Sequence, residues 1–407
     1  MVVLAASAVL PLVSARAADT SFAQIERGRN LVNAGDCVAC HTPDKGKPFA
    51  GGRAIETPFG TIYSANITPD QDTGIGAWSE DDFYRAMHEG RRPDGSRLYP
   101  AFPYPYFTKL TRDDVTAIHA YLKTLQPVRN PRRANELKWG LNHRVFMRGW
   151  DMLFFKPGTF KPDPNKSAEW NRGAYLVEGA GHCGACHTPK NALGADKTSE
   201  ALNGGVIQDW FAPRIANNMR DGTGAWSVDD IAEYLKTGRN KHSGATGLMS
   251  EVVRDSTSKL SDDDLKAIAT YIKDVDGGPN PPPPPAPPKD KKMSAGEAIF
   301  ADSCSACHQA DGSGVPRMFP PLAGNANVQS RDPTTIIRVI LQGAQTAPTD
   351  KAPTAFSMPA FDWKLDDGQI AAVASYVRNT WGNSAPPVGP DQVGSLRKAV
   401  RQGHATQ

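Results

Sequence analysis

Apolar positions recur at helical spacing in three blocks of this 407-residue chain, and the blocks repeat one another. Each opens on a short helical pattern: Ile25-Glu26-Arg27-Gly28-Arg29-Asn30-Leu31, then Trp170-Asn171-Arg172-Gly173-Ala174-Tyr175-Leu176, then Ala295-Gly296-Glu297-Ala298-Ile299-Phe300. Glycine within a helix costs about 1 kcal/mol relative to alanine. The same placement three times therefore predicts close approach of another helix. Each block closes on a second amphipathic stretch, at residues 110–122, 260–272 and 365–377, with a tyrosine near its end. Tyr121, Tyr271 and Tyr376 are expected to pack over Gly28, Gly173 and Gly296. Between these elements, Gly76-Ala77-Trp78-Ser79 and Gly224-Ala225-Trp226-Ser227 each open a middle helix. Ser79 and Ser227 read as N-caps with acids in the following turn, and Gly90 and Gly238 as C-terminal stops. The pattern predicts an all-α chain.

Behind each opening helix lies one motif: Cys37-Val38-Ala39-Cys40-His41, Cys183-Gly184-Ala185-Cys186-His187 and Cys304-Ser305-Ala306-Cys307-His308. Together they use every cysteine in the protein. C-x-x-C-H is the spacing of c-type haem attachment. Two thiols form thioethers to the haem vinyl groups, and the next residue, histidine, binds iron. A structural zinc site would need paired C-x-x-C units close in sequence, and a redox dithiol would need one motif in a βαβ setting. Three haem c groups are expected, on Cys37/Cys40, Cys183/Cys186 and Cys304/Cys307, with His41, His187 and His308 as proximal ligands.

Proline and glycine divide the blocks. The reading is a leader at residues 1–17, domains at 18–126, 167–276 and 293–382, an interdomain linker at 127–166, a Pro-rich linker at 277–292 and a flexible tail at 383–407. Residues 281–285 are all proline and predict a semi-rigid polyproline II spacer that holds the third domain off from the first two. The first linker carries Trp139, Phe146, Trp150, Phe154 and Phe155, which fit equally a partner-docking strip or a cover for the domain's own surface. The apolar run at residues 2–13 with Ala15-Arg16-Ala17 reads as an export signal. It is too short to span a bilayer. The formal charge of +3 implies no nucleic-acid partner.

The sixth iron ligand of an electron-transfer haem is usually Met or His, and Met raises the potential. It is sought in the loop before the closing helix. Met358 fits in the third domain and Met249 in the second, with Met318 read as core and Met219 as misplaced. The first domain has Phe102 in that loop and no Met; His88 is the first candidate there, Met87 the second, and an open site the third.

The three C-x-x-C-H units, the G-x-W-S-x-D-D helix starts, Ser167-Ala168-Glu169-Trp170-Asn171-Arg172-Gly173-Ala174-Tyr175-Leu176 and Gly181-His182-Cys183-Gly184-Ala185-Cys186-His187-Thr188-Pro189 are similar to the tri-haem cytochrome c subunits of bacterial membrane-bound dehydrogenases. Those serve alcohol, gluconate, sorbitol, fructose and FAD-dependent glucose dehydrogenases. The resemblance covers essentially the whole chain after the leader. It implies three tandem cytochrome c domains, each wrapped round one haem, in the periplasm and peripheral on the inner membrane. It implies a catalytic dehydrogenase subunit of flavin, quinone or molybdenum type as electron donor, and ubiquinone or another acceptor. The family commonly has Met where this chain has Phe102. No dinucleotide fingerprint or spare thiol suggests a catalytic site of the chain's own. The rival readings are a peroxidase-like haem enzyme using an open first haem, and a freely diffusing carrier.

Overall fold

The computed structural model describes residues 13–43, 45–283 and 291–405. Residues 1–12 of the expected leader lie outside them. Helices dominate, in three successive units. In the first, α1 (Val13–Ala34), α2 (Cys37–His41), β1 (Ala54–Thr57), β2 (Gly60–Tyr63), α3 (Glu80–Glu89), α4 (Tyr104–Phe107) and α5 (Arg112–Lys123) are followed by β3 (Glu136–Leu137) and α6 (Phe146–Phe154). The second has α7 (Ala168–Tyr175), a π-helical turn at Leu176–Ala180, α8 (Gly184–His187), β4 (Gly205–Ile207), β5 (Trp210–Ala212), α9 (Val228–Thr237), α10 (Leu248–Asp255) and α11 (Asp262–Asp274). The third has α12 (Lys291–Ser303), α13 (Ser305–His308), α14 (Ala326–Gln329), α15 (Thr334–Gln342), β6 (Ala344–Gln345), β7 (Ser357–Met358), α16 (Asp367–Val377) and α17 (Pro390–Ala405).

Each unit is organised by its opening helix crossing its closing helix at the glycine. A Cβ on Gly28 would lie 2.0 Å from the Ala117 carbonyl oxygen, one on Gly173 1.9 Å from that of Ala267, and one on Gly296 2.3 Å from that of Ala372. The Cβ atoms of Tyr121, Tyr271 and Tyr376 sit within 2.9 Å of the same points. The helix pairs touch backbone to backbone, which only glycine permits. The middle helices start as their sequences dictate. Ser79 accepts the Asp82 N–H and Asp82 accepts the Ser79 N–H, each at 3.1 Å; Ser227 and Asp230 repeat the arrangement. Both helices stop at left-handed glycines, Gly90 and Gly238. In the third unit the matching helix is α15, which has no side-chain cap and ends at Gly343.

The first two units share one apolar core. Leu31, Leu110, Ile118 and Leu122 from the first merge with Leu176, Val177, Ile268 and Ile272 from the second. The third keeps its own core around Ile337, Leu341, Ile370 and Val373.

Residues 127–166, read as an interdomain linker, fold onto the first unit: β3 pairs with β2, Asn66 donates to the Val128 carbonyl at 2.7 Å, and buried Asp151 of α6 accepts from Tyr104 at 2.5 Å and pairs with Arg97 at 3.2 Å. Two expectations about the other connections are corrected. The third unit is not held off. Gln329 donates to the Arg220 carbonyl at 3.0 Å, Asn325 to that of His242 at 3.1 Å and Thr335 to that of Phe211 at 2.8 Å, and Arg317 pairs with Glu233. Of the proline run, residues 284 and 285 fall outside the described residues; Ser384 donates to the Pro283 carbonyl at 2.5 Å. The tail is not loose either, for 390–405 form α17. Val388 and Val393 are fully buried, a contribution of roughly 1.5–3 kcal/mol each. The fully buried Arg378 side chain pins the approach to that helix, donating to the carbonyls of Val328, Ser330 and Pro386.

Candidate haem sites

The three motif helices present their histidines alike. His41 Nδ1 lies 2.6 Å from the Ala65 carbonyl oxygen, His187 Nδ1 2.6 Å from that of Pro213, and His308 Nδ1 3.1 Å from that of Pro320. A carbonyl only accepts, so Nδ1 must carry the proton and Nε2 keeps its lone pair. Burial lowers the pKa of all three rings, against the smaller opposing effect of the carbonyls. Each imidazole is thus a neutral Nε2 donor whose tautomer and orientation are fixed by a backbone carbonyl, as a metal-binding histidine requires.

The thiols are unpaired. Burial pushes Cys37 and Cys183 up to about 12 and Cys40 and Cys304 up to about 11. A redox dithiol or a zinc thiolate needs the reverse, a thiol made acidic by cationic surroundings. Apolar surroundings suit thioethers to a haem. Beside Cys37, Cys40 and His41 opens a cavity of about 3500 Å³ that continues to Cys186 and Tyr271 of the second unit. Small-molecule pockets run to about 1000 Å³; this space suits two large planar groups. In the third unit Cys304, with Tyr376 and Trp381, packs against the core cluster that contains Phe300.

The first two motifs meet across an approximate twofold relation. A Cβ on Gly35 would lie 3.6 Å from the Ala180 carbonyl oxygen, and one on Gly181 3.8 Å from that of Ala34. His182 Nε2 donates to the Gly35 carbonyl at 3.2 Å. Asp36 and His182, each immediately before the first cysteine of its motif, share a positive φ, 47° and 35°. Tyr106 reaches across to Asp196, and Arg53 joins the Ala39 carbonyl at 2.7 Å to Glu251 of α10 at 2.7 Å.

On the distal side, Met249 is half-buried at the start of α10 against the shared core. Met358 lies in β7, opposite Ala344. Met219 is 74% exposed, and so is unfit as a ligand. Met318, expected in the core, is 44% exposed at the contact between the second and third units, near Glu233. In the first unit Met87 is buried and faces the cavity together with Phe83 and Phe102. His88, one residue on, turns about 100° away. Its ring stacks on Tyr84 with centroids 4.9 Å apart and leaves Nδ1 buried without a partner. It is not among the residues facing the cavity that holds His41. Of the two candidates, Met87 is the one that faces the cavity.

The cytochrome c family model matches residues 25–126, 171–276 and 293–381, one match for each motif. The chain belongs to the cytochrome c family. Among its relatives is the cytochrome c subunit of the quinone alcohol dehydrogenase of Gluconacetobacter polyoxogenes, 42% identical over 91% of this chain and 83% of that one. The gluconate 2-dehydrogenase cytochrome c subunit of Pantoea cypripedii is 40% identical over 92% of this chain and 90% of that one. A nicotinate dehydrogenase subunit from Pseudomonas putida is 42% identical over 93% of this chain but only 32% of its own length. This cytochrome carries three haem c groups.

Sequence reasoning did not find the groups that orient the proximal histidines, because they are backbone carbonyls. A weak signal exists, since two of the three belong to prolines, Pro213 and Pro320. Nor did it find the contact between Ala34-Gly35 and Ala180-Gly181, although both cytochrome motifs are preceded by the same Ala-Gly pair.

Proposed function

We propose that this cytochrome relays electrons from the catalytic subunit of a dehydrogenase, of flavin, quinone or molybdenum type, to ubiquinone or another respiratory acceptor. In this reading it works in the periplasm, peripheral on the inner membrane. The relatives named above are cytochrome subunits of dehydrogenases, which supports a catalytic partner. One observation in the fold carries the relay reading. The first two attachment motifs lie on one continuous cavity and approach so closely that a Cβ added to Gly35 or Gly181 would stand 3.6 or 3.8 Å from the other unit's backbone carbonyl. A haem enzyme needs an iron with an open coordination position, whereas a relay needs redox groups held close and rigid. One-electron exchange is the chemistry the haem iron supplies. The chain supplies neutral Nε2 donors at His41, His187 and His308, thioether Met249 and Met358 as distal ligands, and an apolar setting.

For the first haem the burial of Met87 beside Phe102 favours Met87 over His88 as distal ligand. The test is a redox titration and ferric spectrum of the purified three-haem protein, with and without its partner dehydrogenase. Rapid reduction by the partner and re-oxidation by a quinone are expected. A high-spin first haem that turns over peroxide, without accepting electrons from any dehydrogenase, would favour the peroxidase-like reading. Isolation as a soluble single chain would favour the free carrier.

A further inference from the structure

The segment between the first two motifs carries a set of exposed apolar side chains. Trp139 is 99% exposed, Met152 83%, Leu153 69%, Val145 62% and Phe146 58%, and Leu193 of the second unit adds 55% beside them. The opposite side of α6 anchors the strip: Trp150 donates to the Leu193 carbonyl at 3.0 Å, and Phe155 meets Tyr104 edge-on at 4.9 Å. The strip is therefore presented outward by a fixed helix.

Its charge is one-sided. Between residues 138 and 161 stand Lys138, Arg144, Arg148, Lys156 and Lys161, and the single acid is Asp151. That carboxylate is buried and already held by Tyr104 and Arg97. Lys138 and Arg144 donate to the carbonyls of Pro58 and Arg97, not to carboxylates, so their charge is not neutralised there. Exposed tryptophan, phenylalanine and leucine ringed by lysine and arginine is the composition of a helix lying in a membrane interface. An anionic lipid surface complements both the apolar side chains and the unbalanced positive charge. No helix among the described residues is long and apolar enough to cross a bilayer, so contact through these residues lies in the plane.

We propose that the Trp139/α6 strip is the membrane-contact face, seating on anionic phospholipid. The inference rests on the peripheral-membrane reading above and assigns it a surface. Trp150, Leu153 and Phe154 also line the cavity of the first two motifs; the seated protein therefore turns that cavity's mouth toward the bilayer, where a lipid-soluble acceptor partitions.

The test uses the full three-haem protein and co-sedimentation with vesicles of phosphatidylglycerol and phosphatidylethanolamine, or of phosphatidylcholine alone. Binding to the anionic vesicles is expected, falling about fivefold for each of Lys138→Ala and Arg148→Ala. Val145→Glu with Met152→Glu, neither of which lines the cavity, is expected to abolish it while the haem absorption spectrum stays unchanged. Trp363→Ala, on an exposed tryptophan of the third unit, is expected to bind as wild type. If the wild type sediments with no vesicle, the membrane reading itself fails. If the wild type binds and the Val145/Met152 variant binds equally, the membrane reading stands and this face is overturned. Protection of Met152 from oxidation by a purified dehydrogenase subunit, with no protection by anionic vesicles, also overturns it in favour of a protein occupant.

Discussion

Gly173→Ala tests the helix crossing that defines each unit. The added Cβ would sit 1.9 Å from the Ala267 carbonyl oxygen, 2.5 Å from its carbon and 2.9 Å from the Tyr271 Cβ. Contacts below 3.0 Å do not occur, so α7 and α11 must part by about 1 Å. Neither neighbour can rotate away, because two of the three atoms are backbone and the third is a Cβ. A gap of that size forfeits a quarter to a half of each dispersion contact across the face. Overpacking of this kind costs about 1–3 kcal/mol, and the lack of a flexible neighbour puts this case at the upper end. Alanine returns about 1 kcal/mol in helix propensity, leaving a net loss of about 2 kcal/mol. Denaturation by urea, followed by far-ultraviolet circular dichroism on the three-haem protein, should show the transition of the first two units lowered by about 1 M. Gly149→Ala is the control: this glycine lies inside α6 with nothing within 4 Å of an added Cβ, so no fall is expected. A Gly173→Ala midpoint equal to or above wild type would refute the reasoning, and with it the explanation of all three glycines.

Met249→Leu and Met358→Leu should each lower the potential of one haem while leaving three haems covalently attached, read by redox titration with mass spectrometry. Met87→Leu should shift a third potential or make one ferric haem high-spin, whereas His88→Ala should leave the titration unchanged; a shift with His88→Ala and none with Met87→Leu would restore the opposite ligand. Asp230 gives a pH dependence. Burial pushes its pKa up, but the Ser227 backbone and hydroxyl, Lys241 and His242 together bring it down to about 2. Its folded pKa is below the unfolded value near 3.9, so its stabilisation is full above pH about 4 and is lost as pH falls through 2. The loss should be about 1–2 kcal/mol, and Asp230→Asn should flatten that part of a stability–pH profile.

What the sequence carried and what it hid divide along physical lines. Attachment cysteines, proximal histidines, the Ser79 and Ser227 caps and the glycine crossings are local, so residue type and spacing reveal them. The α15 start escaped because Pro333 offers no capping side chain. The tail was legible and was misread: Val393, Leu396 and Val400 keep helical spacing, but Gly, Pro and scattered charges around them suggest disorder. The proline run suggested separation, yet a spacer limits reach without forbidding a return, and the third unit docks through side chains remote in sequence. Met87 occupies in α3 the buried position that Leu235 holds in α9; in the first unit that core position is also cavity wall.

The three units are not joined in the same manner, and this bears on how a relay can work. The first two share a continuous apolar core, with Leu110, Leu176 and Val177 each 0–1% exposed, and meet through glycine backbone beside their attachment cysteines. Separating them would expose that core to water, at roughly 25 cal/mol for each Å² of apolar surface. The relative placement of their attachment motifs is thus set by the fold itself. The third unit meets the second through a different chemistry, mostly hydrogen bonds to backbone carbonyls, the surface ion pair Arg317–Glu233, and Arg338 and Arg239 stacked over Trp210 and Phe356. Exposed ion pairs contribute about 0–1 kcal/mol, and water can replace such hydrogen bonds at little net loss. Polar contacts of this kind resemble those between domains that move. The first two units are thus joined by buried apolar surface and the third mainly by polar contacts, so relative motion within the chain is expected at the joint between the second and third units.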